Sequence, residues 1–431
     1  MVSHVHPLVP APVRLVGAKA QGLATMLGLG LPVPPGVVVD TAACREFLGS
    51  GRLPTGLLAE LTAAVPDGPL SVRSGAAVSM PGMMSTILDV DRAHLESAVE
   101  AVFSSWNTPR ARTYRALHDI PHGLGTAAVV QAMVFGDRDP HSGTGVAFSR
   151  DPNTGAPTPY GEVLFGHRGT DVVSGSHLTS PLAALDREPG VWHDLRSALA
   201  TLEGHYRDVC SVEFTFESGK LWLLQARAGG LVGTAAVRAA VDLAREGRID
   251  RTRAVLRVDP RDLAEVPRIA DPTPLLGRGT GAVPGVAVGR VATTADRAAR
   301  TTGPVILVRP ETSPLDLHGM AASVGIVTAR GGPTSHAAVV ARAAGTPAVV
   351  GVRDLVVHEG EARFGSTVVR DGTVIAVDGG GGLVVEGRPD ITTSPSTHMR
   401  TLLAWADEIS GTTFPSAPER LATAHSALRT T

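Results

Sequence analysis

The stretch GGPTSHAAVVARAAGTPAVVG, Gly331 to Gly351, sets one histidine, His336, between a small-residue loop and an alanine- and valine-rich run. Val324 to Ala329 before it reads as a buried strand, and Gly331-Gly332-Pro333 forces a turn. Thr334 or Ser335 then caps a helix over His336 to Ala344. His336 is expected at the positive end of that helix, where unpaired backbone N–H groups and the dipole favour an anion by about 0.3–1 kcal/mol. A neutral imidazole with a lone pair on one ring nitrogen can attack phosphorus and hold the product. The plain alternative is a histidine that only caps or packs in a first helical turn.

Working outward, valine- and glycine-rich segments alternate with short helices. Strands are expected at Val286–Val291, Val305–Val308, Val324–Thr328, Thr373–Val377 and Leu383–Val385, with helices at Thr294–Arg300, Pro314–Met320 and His336–Ala344. This reads as a small β/β/α domain over 275–388. A helical connector, 231–274, precedes it, ending at Asp271-Pro-Thr-Pro274. Its last part, Asp259 to Pro274, spans at most roughly 50 Å if extended, which permits a swivel. Over 389–431 the sequence predicts a polar connector, a helix at Met399–Ile409 and then a loose tail. The first domain, 1–230, mixes helices with strands at Ala127–Phe135 and Gly143–Phe148. It closes on a hairpin, Ser211–Glu217 and Lys220–Gln225, about Ser218-Gly219.

The 431 residues, 43% hydrophobic, suffice for two or three cored domains. A net charge of −2 gives no general attraction to nucleic acid or anionic membranes. No apolar run is long enough to span a bilayer, and the start lacks the pattern of a secretory signal, so a cytoplasmic address is expected. Cys44 and Cys210 are too few for a disulfide framework or a zinc cage. Arginine outnumbers lysine 37 to 2, which reads as codon bias. A lysine retained against that bias points to a need for a compact ammonium, as at phosphate sites.

One of the two, Lys19, lies in LVGAKAQGLATMLGLGLPVPPGVVV, Leu15 to Val39, flanked by glycine ahead of a helix. Arg73 stands beside small residues in SVRSGAAVSMPGMMSTIL, Ser71 to Leu88, where a backbone can approach a polyphosphate. On the terminal hairpin Glu213 and Gln225 occupy neighbouring strands and Arg227 follows, an arrangement suited to magnesium and phosphates. Each feature taken singly also reads as scaffold.

Together with the His336 segment, these phrases resemble the pyruvate, phosphate dikinase family of phosphoenolpyruvate-utilising enzymes. VFSSWNTPRARTYRALHDIP (Val102 to Pro121), VVQAMVFGDRDPHSGTGVAFSRDPNTG (Val129 to Gly155) and VILVRPETSPLDLHGM (Val305 to Met320) extend the likeness. The resemblance implies an α/β multidomain chain, with an ATP-grasp nucleotide-binding domain followed by a small swivelling β/β/α phosphohistidine domain. It implies Lys19, Arg73, Glu213, Gln225 and Arg227 as ATP-binding residues, Glu213 and Gln225 as holders of Mg2+, and Arg73 and His336 as catalytic. ATP would phosphorylate His336 with release of AMP, inorganic phosphate taking the terminal group. Thr334 falls where some relatives carry a regulatory phosphorylation.

The sequence also departs from the family. Ser211 stands where an aspartate is usual, Thr170 where a glutamate is expected, and Arg168 where a glutamine is expected. Met84-Ser-Thr-Ile-Leu-Asp89 runs almost directly into the next helix, so a stretch present in relatives is missing. The likeness ends at LLAWADEIS, Leu402 to Ser410, short of the family's TIM barrel. The acceptor is then pyruvate on a separately encoded barrel subunit, or another small molecule such as a specialised metabolite. The alternative is a catalytically weakened nucleotide-binding or regulatory module that senses adenine nucleotides, or docks to a full-length dikinase through its C-terminal helix. A fragment of an ordinary dikinase is a third reading.

Overall fold

Valine-rich runs build the first sheet. The computed structural model describes residues 3–78, 80, 82–168, 179–263, 267–332, 335–392 and 396–430. These fall into two compact units, one of 1–143 with 212–227, the other of 144–211 with 228–431. In the first, strands β1 (Val5–Pro7), β2 (Gly36–Val39), β3 (Leu70–Gly75), β4 (Thr86–Val90) and β5 (Ala127–Ala132) lie in the order β1-β2-β5-β3-β4, antiparallel throughout. Leu70 and Val72 join Val37, Val39, Ala128 and Val130 in a core shared with helices Thr41–Ser50, Leu57–Ala64 and Leu95–Ser105. Because successive side chains of a strand point to opposite faces, Ser71 and Arg73 project from the other side of β3.

The helix Val13–Gly28 breaks at Gly17, where φ is 78°. A Cβ at that position would lie 1.6 Å from the carbonyl oxygen of Gly75, so only glycine fits against the end of β3. The Ala18 amide donates to the Ala76 carbonyl at 3.0 Å, and the helix restarts there, with Lys19 in its first turn. The hairpin of Cys210–Glu217 and Lys220–Ala228 turns through Ser218 and Gly219, both at positive φ, as the Ser-Gly pair predicts.

The second unit holds an eight-stranded sheet in the order Leu275–Arg278, Leu383–Glu386, Val374–Asp378, Val286–Ala292, Val305–Arg309, Gly325–Thr328, Ala348–Val350, Thr280–Val283. Alternation in VILVR sorts its two faces. Val305 and Leu307 face Ala337, Ala338 and Ala341 of the helix His336–Ala344. Ile306 and Val308 face a second, three-stranded sheet, Leu355–His358, Glu361–Phe364 and Thr367–Arg370, through Leu355, Ala362, Phe364 and Val369. The result is the β/β/α layering read from the sequence. The ribbon 355–370 and the strands Leu275–Arg278, Thr280–Val283 and Ala348–Val350 are additions to that reading.

Chain entry to and exit from this domain run side by side, since Arg268–Ile269 pairs antiparallel with Ile391–Thr392. Ile269 also packs on Ala376 and Val385 of the large sheet. The connector is thus anchored at Ile269, and its reach is shorter than a fully extended Asp259–Pro274 allows. The expected loose tail is instead a second helix, Ala417–Thr430, which folds back on Thr397–Ser410. Leu421 and Ala424 from it, and Met399, Leu402, Leu403, Trp405 and Ala406 from its neighbour, share one core with connector helices Gly233–Arg245 and Arg251–Arg257. The apolar face of Thr397–Ser410 is spent inside its own unit, which removes it as the docking surface of the module reading. Among the described residues no helix is long and apolar enough to cross a membrane.

Two glycines in one helix test the packing at Gly17. Gly17→Ala is expected to destabilise the protein by about 2 kcal/mol or more through clash and positive φ. Gly28→Ala, which meets nothing within 4 Å, is expected to be neutral or stabilising by about 0.5 kcal/mol. Denaturant unfolding of both variants compares them directly.

Candidate functional site

In the first unit, Lys19, Arg73, Glu213, Gln225 and Arg227 come together. Arg73 is buried, and its Nη2 meets Glu213 Oε2 at 3.3 Å while Nη1 donates to the Leu224 carbonyl at 2.8 Å. Burial, then the nearby Arg227, lower the Arg73 pKa, while Glu213 raises it. Gln225 is buried too, and its amide oxygen, in the orientation that satisfies both partners, accepts from Arg227 Nη2 at 2.7 Å. Lys19 is half-buried, and its ammonium pKa is pushed down to about 7 by burial first and by Arg73 next, Glu213 opposing and Arg227 adding to the fall. The other lysine, Lys220, lies apart from this cluster over the Trp222 ring, 4.3 Å from its centroid.

Magnesium takes oxygen ligands and keeps several waters, so one or two protein donors beside a polyphosphate are enough. The Glu213 carboxylate and the Gln225 amide oxygen are donors of that kind. They make a thin site, since no group of three or more His, Cys, Asp or Glu side chains suited to a metal occurs among the described residues. Ser211 supplies no second carboxylate beside Glu213. Thr170 and Thr334 lie outside the described residues.

In the second unit, His336 is the first residue of its helix, and Ser335 is the cap, its Oγ accepting from the Ala338 amide at 3.4 Å. A feature that sequence reasoning missed lies at the imidazole: Thr312 Oγ1, buried, is 3.2 Å from His336 Nδ1. Thr312 follows the strand Val305–Arg309 within the RPETSP phrase, and a capping box of Ser313 and Asp316 fixes the next turn. Arg309 braces Asp316 at 3.3 Å, and Arg330 braces Glu311 at 3.4 Å.

Strand Tyr160–Phe165 supplies two more residues that were not singled out. A Cβ on Gly332 would lie 1.6 Å from Glu162 Oε1, so the backbone of the loop before His336 rests directly on that buried carboxylate. Tyr160, two residues along the same strand face, has its pKa raised by burial first and then by Asp151 and Glu162. Arg342 of the His336 helix opposes that rise. A glutamate among apolar residues at an inward strand position was the available signal.

The family model described as pyruvate phosphate dikinase, AMP/ATP-binding domain, matches residues 55–181, and that of the PEP-utilising enzyme mobile domain matches 301–382. Pyruvate, phosphate dikinase of Rhizobium meliloti is 36% identical over 91% of this chain and 58% of its own length. Pyruvate, phosphate dikinase 2 of Zea mays is 35% identical over 92% of this chain and 58% of its own. The chloroplastic pyruvate, phosphate dikinase 1 of Arabidopsis thaliana is 34% identical, covering 92% and 53%. The chain therefore spans under two thirds of the length of these relatives. The first alignment runs over 521 positions against a chain of 431, so the relatives carry stretches that this chain lacks. An α/β multidomain chain with an ATP-binding domain and a mobile domain bearing His336, it belongs to the pyruvate, phosphate dikinase family.

Proposed function

We propose that this protein is an ATP-dependent phosphotransferase in which His336 carries the phosphoryl group. The observation that carries the reading is the contact between Thr312 Oγ1 and His336 Nδ1. A proton held at Nδ1 and shared with the hydroxyl puts the imidazole lone pair on Nε2. Nε2 then attacks the β-phosphorus of ATP in line. The N–P bond forms as the bond from that phosphorus to the α,β-bridging oxygen breaks, and AMP leaves with the electron pair. The imidazole becomes cationic while keeping its Nδ1 proton, and the Thr312 oxygen stabilises that charge. Inorganic phosphate attacks the terminal phosphorus of the pyrophosphoryl group, the bond from that phosphorus to the bridging oxygen breaks, pyrophosphate leaves, and a monophosphorylated histidine remains.

At the nucleotide, Arg73, Lys19 and Arg227 would neutralise phosphate charge, which is the main service a protein renders to phosphoryl transfer. Glu213 and Gln225 would hold Mg2+, which supplies further charge neutralisation when bound. The acceptor is pyruvate or another small molecule. The competing reading, a weakened nucleotide-binding module, draws support from the lone carboxylate at Glu213 beside Ser211.

AMP formation from Mg-ATP and phosphate in single turnover separates the two readings. Wild type is expected to release AMP and His336→Ala none; nucleotide binding without AMP release under any condition would leave the module. Thr312→Val is expected to slow the reaction about fivefold, the worth of a net hydrogen bond of about 1 kcal/mol. Gly332→Ala, forced against Glu162, is expected to lower the phosphorylation rate while leaving ATP affinity within about twofold of wild type, because Gly332 lies outside the nucleotide cluster. Equilibrium titration alongside rapid quench measures both quantities.

A further inference from the structure

We propose that Arg330 binds the group that His336 carries: Glu311 holds its guanidinium while the histidine is unmodified, and the guanidinium turns to the phosphoryl oxygens once they are there. The inference rests on the phosphohistidine reading above and adds to it a cation for the carried group.

Strand pairing places the two residues. The parallel strands Val305–Arg309 and Gly325–Thr328 stay paired beyond their ends, since the Ala329 amide donates to the Arg309 carbonyl at 3.0 Å and the Arg330 amide to the Pro310 carbonyl at 2.8 Å. Val305 and Leu307 from one strand and Ile326 from the other share a core with the His336 helix. Alternation from these positions carries Glu311 and Arg330 onto the same face, at the strand ends from which the chain enters that helix. Each is one residue from a contact with the start of the helix. Thr312, next to Glu311, lies 3.2 Å from His336 Nδ1. Gly331, next to Arg330, packs on the cap, because a Cβ added to it would lie 3.0 Å from Ser335 Oγ.

The pair itself is loose. Arg330 Nε stands 3.4 Å from Glu311 Oε2, and that oxygen, covered from solvent, accepts no hydrogen bond among the described residues. The side chains of Arg330 and Glu311 are 49% and 43% exposed, which leaves the guanidinium room to move. The backbone beneath it is pinned, since Thr328 Oγ1 donates to the Arg330 carbonyl at 2.7 Å. An ion pair at that exposure stabilises little. Guanidinium contacts to phosphoryl oxygens are charge-assisted and can be bidentate, and a phosphoryl group brings more negative charge than one carboxylate. Arg309, on the same face, is committed elsewhere, donating to the Thr293 carbonyl at 3.0 Å and bracing Asp316.

The phosphorylation equilibrium of the full chain tests the exchange, at a fixed ratio of ATP to AMP with Mg2+ and without phosphate. Alkaline quench and peptide mapping read the ratio of modified to unmodified His336. Arg330→Gln is expected to lower that ratio about 10-fold, the worth of a charge-assisted contact. Glu311→Gln, which releases Arg330 and removes a nearby negative charge, is expected to raise it about threefold. Arg330→Lys, which keeps the charge without the planar fork, is expected to fall between wild type and Arg330→Gln. An ion pair that only braces the turn is broken equally by either Gln variant. Ratios that fall together in Arg330→Gln and Glu311→Gln, or that stay at the wild-type value in both, therefore overturn the inference and leave His336 as the carrier. Absence of any adduct on His336 of the wild type removes the carrier reading and, with it, the exchange.

Discussion

Buried Arg73 pairs with Glu213 at 3.3 Å, and much of the first unit serves to hold that pair beside Lys19 and Arg227. Removing a charge from water costs several kcal/mol unless a partner restores the lost solvation. Arg73 has Glu213 and the Leu224 carbonyl, and Arg227 has the Gln225 amide, while burial and Arg73 lower the Lys19 pKa against the opposing effect of Glu213. The scaffold sets this placement step by step. Gly17 lets the helix restart against the end of β3, β3 alternation turns Arg73 away from the core, and the Ser218-Gly219 turn brings Glu213 and Arg227 back along adjacent strands.

The second unit answers a different requirement, that one histidine be held rigidly at a helix start. Ala337, Ala338 and Ala341 allow the helix to lie close on the large sheet. The crossover between parallel strands Gly325–Thr328 and Ala348–Val350 fixes which end of that helix carries His336. Thr312 then governs the imidazole and Glu162 the loop before it. Both contacts join residues distant in sequence, brought together by the scaffold of this unit.

Much of this was legible in the sequence where local rules dominate. The glycine turn, the serine cap and the alanine run gave the His336 helix its observed bounds, and Ser-Gly gave the hairpin. The β/β/α layers followed from valine-rich runs of the right length. What stayed hidden was long-range. Thr312 lies 24 residues from His336, and nothing local reveals that its hydroxyl reaches the ring. Glu162 and Gly332 meet only through tertiary packing. The helix Ala417–Thr430 was read as a tail because its apolar positions are few, and Leu421 and Ala424 gain meaning only once the connector helices supply the opposing face. The clustering of Lys19 with Arg73 and Arg227 was expected as a set of phosphate ligands. The ion pair of Arg73 with Glu213 within it needed the tertiary fold.

The most direct measurement of the central claim is the intact mass of the protein at alkaline pH, where phosphohistidine persists, after incubation with Mg-ATP, followed by peptide mapping. The account predicts a phosphoryl or pyrophosphoryl adduct on His336 of the wild type, with none on His336→Ala. An adduct on another residue, or ATP consumption that continues in His336→Ala, would contradict it.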